Sequence, residues 1–141
     1  MNRAQFLAEI ASLDLPLAEF VVVGGGVLAV HDIRETEDID IVVTPRLFEE
    51  LTARGWHLKA RPDGKPGLRF GRAEAYLDVN CKSFARTTTW LLEHAGVLHG
   101  VPLLDLHTLS AFKAGYGREK DIRDLELIER HLQLGPCSPT L

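Results

Sequence analysis

The stretch FVVVGGG at residues 20–26 decides the fold of this chain. Its four consecutive apolar residues, three of them β-branched, are typical of a strand that is covered on both faces. The glycines that follow end this strand, and residues 27–31 suit a short helix. A buried strand that runs directly into a helix indicates a sheet with helices packed against it.

A second apolar run, DIDIVV at residues 38–43, predicts the next strand. Thr44 and Pro45 then provide an N-cap and a first-turn proline for a helix over residues 45–54. Before the first strand in the sequence, apolar residues recur at helical spacing and predict an opening helix over residues 3–13.

The rest of the chain predicts more strands and then two closing helices. The expected segments are strands over 56–60, 68–71 and 75–80, a turn-rich loop over 61–67, a short helix ending at Glu93, a hairpin over 97–104, and helices over 106–114 and 119–133. We therefore expect an α/β (α+β) fold in which helices cover a mixed sheet. It forms a single domain over residues 1–135, followed by a flexible tail over 136–141.

Length and composition agree with one globular domain. The chain has 141 residues, of which 45% are hydrophobic and 26% are charged. Its net charge of −4 does not favour sequence-independent binding to nucleic acid or to an anionic membrane. Cys81 and Cys137 lack the spacing of a disulfide framework or a cysteine metal site. Without a long apolar segment or a signal peptide, we expect a cytoplasmic protein that does not bind membranes.

The second predicted strand carries two carboxylates on one face. Residues i and i+2 of a strand point the same way, so Asp38 and Asp40 lie side by side. Two such charges repel each other, and a divalent cation such as Mg²⁺ relieves that repulsion. In the stretch YLDVN at residues 76–80, the same alternation lets Asp78 join the pair if the two strands are neighbours. Three carboxylates can hold two metal ions and support phosphoryl-type transfer.

Gly24, Gly25 and Gly26 lie where the first strand turns into a helix. Bare backbone N–H groups at such a turn can receive a phosphate, although a glycine run also occurs in an ordinary tight turn. Together with the Asp38-x-Asp40 pair, the glycines favour a phosphate site beside a metal site. The pattern GxGxxA over residues 24–29 also fits a dinucleotide-binding fingerprint, but no acid follows the second strand where a ribose ligand is expected.

These segments resemble the nucleotidyltransferases of the DNA polymerase β type, in particular the minimal ones related to abortive-infection toxins. Gly24-Gly25, the stretch AVH at 29–31 and the stretch RETEDID at 34–40 resemble the glycine pair, short helix and R-x-T-x-D-I-D signature of that family. Lys113 and the run REKDIRDL at 118–125 resemble its closing helices, where basic residues face the nucleotide. The resemblance extends over most of the chain, from about residue 18 to 130.

The resemblance implies a polymerase β-like core with a metal site and a nucleotide site. Asp38 and Asp40 would ligate Mg²⁺ or Mn²⁺, with Asp78 as the third carboxylate and candidate general base. The implied nucleotide contacts are two of the three glycines Gly24, Gly25 and Gly26, together with Lys113, Arg118 and Lys120. Arg34 and Thr36 would support the acids, since an arginine close to paired carboxylates lowers their pKa and orients them.

The expected activity is transfer of a nucleoside monophosphate from an NTP to an acceptor hydroxyl. The acceptor is left open between RNA such as tRNA, a protein and a small molecule, and a partner protein or a second copy can complete its cleft. The alternative is a catalytically degenerate nucleotidyltransferase-like fold that binds or regulates a partner in a toxin–antitoxin pair. The intact Asp38, Asp40 and Asp78 favour an active enzyme, because an unpaired acidic cluster has no structural use.

Overall fold

The computed structural model describes residues 1–134, and within them a seven-stranded mixed sheet packs against six α-helices. The strands are β1 (Phe20–Val23), β2 (Ile39–Val43), β3 (His57–Ala60), β4 (Pro66–Phe70), β5 (Ala73–Tyr76), β6 (Gly96–Leu98) and β7 (Val101–Leu103). The helices are α1 (Arg3–Ser12), α2 (Gly25–Val30), α3 (Pro45–Ala53), α4 (Thr88–Glu93), α5 (Leu106–Tyr116) and α6 (Glu119–Leu134). The expected mixed α/β class is confirmed, while the predicted tail over 136–141 lies outside the described residues.

The strand order is β3-β4-β5-β2-β1-β7-β6, which places β2 in the middle of the sheet. β2 pairs antiparallel with β1, with Val23 opposite Asp40, and parallel with β5, with Asp40 opposite Glu74. A dinucleotide-binding fingerprint requires a parallel β-α-β unit. Because β1 and β2 are antiparallel, the dinucleotide interpretation of the glycine run is wrong.

The central strands are buried on both faces, as the run FVVV predicts. The four residues of β1 are at most 3% exposed, and Ile39, Ile41, Val42 and Val43 of β2 are at most 1% exposed. Helix residues from both ends of the chain complete this core, including Phe6 of α1 and Ile128 of α6. Within residues 1–134, no helix is both long and apolar enough to cross a membrane.

Helix boundaries follow the capping signals in the sequence. The side chain of Thr44 accepts a hydrogen bond from the backbone N–H of Leu47 at 3.1 Å, next to the first-turn proline of α3. Asp105 caps α5 by accepting from the N–H of Thr108 at 3.2 Å. Gly117 ends α5 in the left-handed conformation with φ of 64°.

Several predicted boundaries are wrong, since α2 already begins at Gly25, β4 at Pro66 and β5 at Ala73. Two further differences have a clear physical reason. β5 ends at Tyr76 instead of continuing to residue 80, because the N–H of Asn80 donates to the Asp78 side chain at 3.0 Å and the chain turns out of the sheet. α5 continues through Gly115, where we expected a break. A Cβ on Gly115 would lie 2.6 Å from the sulfur of Cys81, so this glycine allows a close contact without interrupting the helix.

Gly26→Ala is expected to lower the free energy of unfolding by about 1–3 kcal/mol. A Cβ at this position would lie 2.6 Å from Cζ of Phe6 and 2.9 Å from Cγ1 of Val22, inside the packed core. Urea denaturation monitored by circular dichroism measures the change. Gly96→Ala is the matched control, because no atom lies within 4 Å of its added Cβ. Equal stability of the two variants would contradict the packing role of Gly26.

Candidate active site

Asp38 and Asp40 lie at the start of the central strand. Asp38 directly precedes β2 and is exposed, whereas Asp40 is half-buried within β2. The Thr36 hydroxyl donates to the backbone carbonyl of Asp38 at 3.4 Å, which ties the segment RET to the entry of the strand. The two carboxylates therefore share one side of the sheet, as the i, i+2 spacing predicts.

The charge of Asp40 is unfavourable where it lies. The pKa of Asp40 is raised from 3.8 to about 6, chiefly by burial and also by the nearby charges of Glu74 and Asp38. Lys59 and Lys120 oppose this rise only in part, and no hydrogen bond to Asp40 from the described residues offsets it. The site thus concentrates negative charge without a built-in counter-charge of equal strength.

Glu74 is the acid that the sheet register places directly opposite Asp40. Lys59 of β3 donates to its carboxylate at 2.5 Å, and the hydroxyl of Tyr76 donates to its other oxygen. Burial acts to raise the pKa of Glu74, but these two hydrogen bonds and the charges of Lys59 and Arg69 together lower it. Glu74 is therefore ionised and held by its own partners at neutral pH.

Asp78 lies beyond the end of β5 and contacts the turn between β3 and β4. Lys65 Nζ donates to both of its carboxylate oxygens, at 3.1 and 3.2 Å. Arg61 Nη1 donates to its backbone carbonyl at 2.6 Å. β2 and β5 are neighbouring strands, as predicted. The β5 residue opposite Asp40, however, is Glu74 rather than Asp78.

The three glycines face different surroundings. Gly24 has φ of +65°, and a Cβ there would lie 3.2 Å from Oδ2 of Asp40, so its backbone borders the candidate metal ligand. A Cβ on Gly25 would lie 2.6 Å from the hydroxyl of Thr36. Gly26 faces the core, as its contact with Phe6 shows. Gly24 and Gly25 are therefore the two glycines at the site.

A buried network of ion pairs borders the acids. Asp124 is 5% exposed and Asp121 is 0% exposed, and Lys113 pairs with them at 2.8 and 3.5 Å. Arg34 Nε and Nη2 donate to the two oxygens of Asp124, both at 2.7 Å, and Arg118 Nε donates to Asp121 at 2.6 Å. This network joins the segment before β2 to α5 and α6.

The expected effect of Arg34 on the paired acids is wrong. Arg34 forms its carboxylate contacts with Asp124, and the pKa of Asp40 is raised rather than lowered. Burial acts to raise the pKa of Asp124, but the hydrogen bonds from Arg34 and Lys113 lower it. Arg34 thus orients the segment that carries Asp38 and Asp40 by anchoring it to α6.

Two cavities adjoin Asp40, and both are lined by Asp40, Lys113 and Arg118. The first, of about 370 Å³, is here called the apolar cavity. Its lining includes the apolar and aromatic residues Val23, Leu104, Leu109, Phe112, Tyr76 and Tyr116, and also the charged residues Lys59, Arg61, Asp63 and Asp121. The second, of about 550 Å³, is here called the charged cavity, and its lining includes Gly25, Arg34, Asp38, Lys120 and Asp124. Asp40 therefore borders two cavities, and charged side chains line both of them.

The donor set at Asp38 and Asp40 fits a hard divalent cation in part. Both ligands are carboxylates, which Mg²⁺ and Mn²⁺ prefer, and the crowded charge on Asp40 would be relieved by a cation. Glu74 and Asp78 are each engaged by a lysine. Across residues 1–134 no three His, Cys, Asp or Glu side chains are grouped closely enough to hold a metal ion. The site therefore fits a divalent ion that is held by two carboxylates and whose remaining ligands are oxygens of a bound substrate or of water.

Comparison with models of known protein families and with characterised proteins finds no match to this sequence.

The sequence-predicted residues Lys113, Arg118 and Lys120 line the cavities beside Asp40. Sequence reasoning missed Lys59, Glu74, Tyr76, Asp121 and Asp124. The two aspartates of α6 carried a usable signal, because they occupy the helical face that also buries Ile128. The other three depend on strand pairing, which local spacing does not encode.

Asp40→Asn is expected to stabilise the fold at pH 8 by about 1–3 kcal/mol. The folded state raises the pKa of Asp40 to about 6, so the folded protein binds the extra proton between about pH 4 and 6. Above pH 6 the ionised Asp40 lowers stability, and the amide removes this cost. Urea denaturation at pH 8 and pH 4 measures the difference, which should vanish at pH 4. Glu93→Gln, an exposed amide control, should change neither value.

Asp124→Asn is expected to lower the free energy of unfolding by about 3 kcal/mol at pH 7, because it leaves Lys113 and Arg34 without their shared carboxylate. The folded pKa of Asp124 is lowered, so its contribution is present at neutral pH and is lost as the pH falls toward the folded-state value. Glu119→Gln is the control, since Glu119 is 88% exposed and pairs only with Arg123 in the described residues. Equal denaturation midpoints of the two variants would contradict the role of the network.

Proposed function

We propose that this protein is a metal-dependent nucleotidyltransferase of the polymerase β-like type. The observation that carries the proposal is the close approach of Gly24 to the carboxylate of Asp40, since a Cβ on Gly24 would lie 3.2 Å from Oδ2 of Asp40, with Asp38 two residues before Asp40. It places bare backbone beside a pair of carboxylates whose negative charge Lys59 and Lys120 offset only in part. The resemblance of the stretches at 24–31 and 34–40 to that family supports the same function.

In this proposal Asp38 and Asp40 hold Mg²⁺ or Mn²⁺. A bound divalent ion lowers the pKa of an attacking hydroxyl and neutralises phosphate charge. The crowding at Asp40 supports metal binding, because a carboxylate with an unpaired charge gains most from a cation. Two acids compete for the place of a third ligand. Glu74 is favoured by strand register and Asp78 by the family resemblance, and each is now engaged by a lysine.

The basic residues supply the triphosphate contacts. Lys113 is 7% exposed and is held between Asp121 and Asp124, so its ammonium group is fixed in position before a substrate enters. Lys120 acts on the charge of Asp40 and lines the charged cavity, where it can face a phosphate. The backbone of Gly25 borders the charged cavity as well, whereas Gly24 borders the apolar cavity on the other side of Asp40. Fixed cations of this kind stabilise charge that develops during transfer without reorganising.

The reaction needs no nucleophilic side chain. An acceptor hydroxyl attacks the α-phosphorus of the NTP, the new P–O bond forms, and the bond to the departing pyrophosphate breaks. The chain supplies positioning and charge, which account for most of the catalysis in this reaction type. The experiment below compares three classes of acceptor, namely RNA such as tRNA, proteins and small molecules.

Purified protein incubated with each α-labelled NTP and with RNA, protein or small-molecule acceptors should release pyrophosphate and label one acceptor class. Activity should require Mg²⁺ or Mn²⁺ and fall at least about 100-fold in Asp38→Asn and in Asp40→Asn, because both remove a metal ligand. Glu74→Gln and Asp78→Asn decide which of the two acids is the third metal ligand, because removal of that ligand should cause the larger loss of transfer activity. Glu93→Gln should retain full activity.

Labelling that persists in Asp40→Asn or without divalent metal would contradict the proposal. The alternative, a degenerate regulator in a toxin–antitoxin pair, is supported if wild-type protein transfers no nucleotide but forms a stable complex with a partner protein that Asp40→Asn also forms.

A further inference from the structure

Two histidines from distant parts of the chain meet outside both cavities. His31 is the C-cap of α2, and His131 lies in the last turn of α6. Their ring centroids are 5.7 Å apart, and the ring planes make an angle of 70°. Neither residue lines either of the cavities beside Asp40. This histidine pair is therefore separate from the candidate active site.

The separation of the two rings is close to that of two imidazoles on one metal ion. With Zn–N bonds of about 2.0–2.1 Å in tetrahedral geometry, the centroids of two bound imidazole rings lie about 5 Å apart. The separation of 5.7 Å in the histidine pair is only slightly larger. We therefore expect small rotations of the two side chains to bring one nitrogen of each ring to a shared ion.

The ring nitrogens of the pair are free of protein partners and touch solvent. Among residues 1–134, the only histidine ring that forms a hydrogen bond is that of His94, whose Nδ1 lies 2.9 Å from the carbonyl oxygen of Trp90. In the same part of the chain, no buried side-chain nitrogen is left without a partner. The nitrogens of His31 and His131 must therefore lie at the surface of these half-buried residues, where an ion from solution can reach them.

His31 has the protonation state that metal binding requires. Burial lowers the pKa of His31, and the charges of His131 and His99 lower it as well. The neutral imidazole, which carries the lone pair that binds a metal ion, is therefore the main form of His31 at pH 7. His131 lies at the C-terminal end of α6, where the unpaired helix carbonyls favour a positive charge.

We propose that His31 and His131 together bind one divalent transition-metal ion such as Zn²⁺, which links α2 to α6. Imidazole nitrogens suit zinc, nickel and copper, whereas Mg²⁺ prefers oxygen ligands. Residues 1–134 provide no third His, Cys, Asp or Glu ligand at this place, so water completes the coordination. The site does not depend on the proposed nucleotidyl transfer.

The two helices that the ion would link both lead to the candidate active site. α2 begins at Gly25, at the other end of the helix from His31, and α6 carries Asp121 and Asp124 of the buried ion-pair network. A bound ion would therefore hold two elements that frame the site against each other. Because the pair comes together only in the folded chain, the ion stabilises the folded state by mass action.

Calorimetric titration of the untagged, chelator-treated protein with Zn²⁺ tests the site, with millimolar Mg²⁺ present to occupy the oxygen ligands. One Zn²⁺ should bind per chain, and it should raise the thermal denaturation midpoint, whereas additional Mg²⁺ should not. His31→Gln and His131→Gln should each weaken Zn²⁺ binding at least about tenfold and remove the rise in the midpoint. If His31→Gln does not fold, His131→Gln carries the test.

His107→Gln is the matched control, because His107 is an exposed histidine of α5 outside the pair, and this variant should bind Zn²⁺ like the wild type. Absence of Zn²⁺ binding would overturn the proposal. So would unchanged Zn²⁺ affinity in a folded His131→Gln, because other side chains would then hold the ion. Zn²⁺ binding at the pair without nucleotide transfer supports the metal site and refutes the transferase. Transfer without Zn²⁺ binding refutes the metal site alone.

Discussion

The antiparallel register between β1 and β2 is the constraint on which the candidate site depends. It sets Val23 opposite Asp40, so the chain leaves β1 at Gly24 directly beside a carboxylate. The parallel register on the other side of β2 brings Glu74 to the same level. A slip of one residue would turn Asp38 and Asp40 into the core and Ile39 and Ile41 out of it. Burial of the alternating isoleucines therefore fixes where the acidic charge lies.

The charge balance of the chain separates two kinds of buried acid. Asp121 and Asp124 lie deep in the fold, but each is paired with cations at hydrogen-bond distance. Asp40 is crowded by Glu74 and Asp38, and no cation in the described part of the chain pairs with it at hydrogen-bond distance. The same fold thus pairs Asp121 and Asp124 with cations and leaves the charge of Asp40 unfavourable. Local rules are broken most often at functional sites, where the cost is offset elsewhere in the fold.

Much of the architecture was predictable from short-range patterns. The run FVVV and the caps at Thr44 and Asp105 each act through residues next to them, so the strand and helix positions follow from the sequence. The predictions failed where a local pattern was extended too far. Asp78 continues the alternating pattern of β5 in the sequence, but its side chain accepts a hydrogen bond from the N–H of Asn80 and the chain turns out of the sheet there. Arg34 is close to Asp38 in sequence, yet its carboxylate partner is Asp124, 90 residues away.

The sequence by itself determined a buried strand that ends in glycines and a second strand that opens with two acids on one face. Hydrophobic periodicity and capping operate over a few residues, so both can be recognised in the sequence alone. Only the tertiary structure decided that Glu74 lies opposite Asp40, that Lys113 is held between two buried aspartates, and that Gly26 faces the core. Those choices depend on strand register and helix packing between distant segments, which are set by the total burial of the folded chain rather than by any single stretch of it.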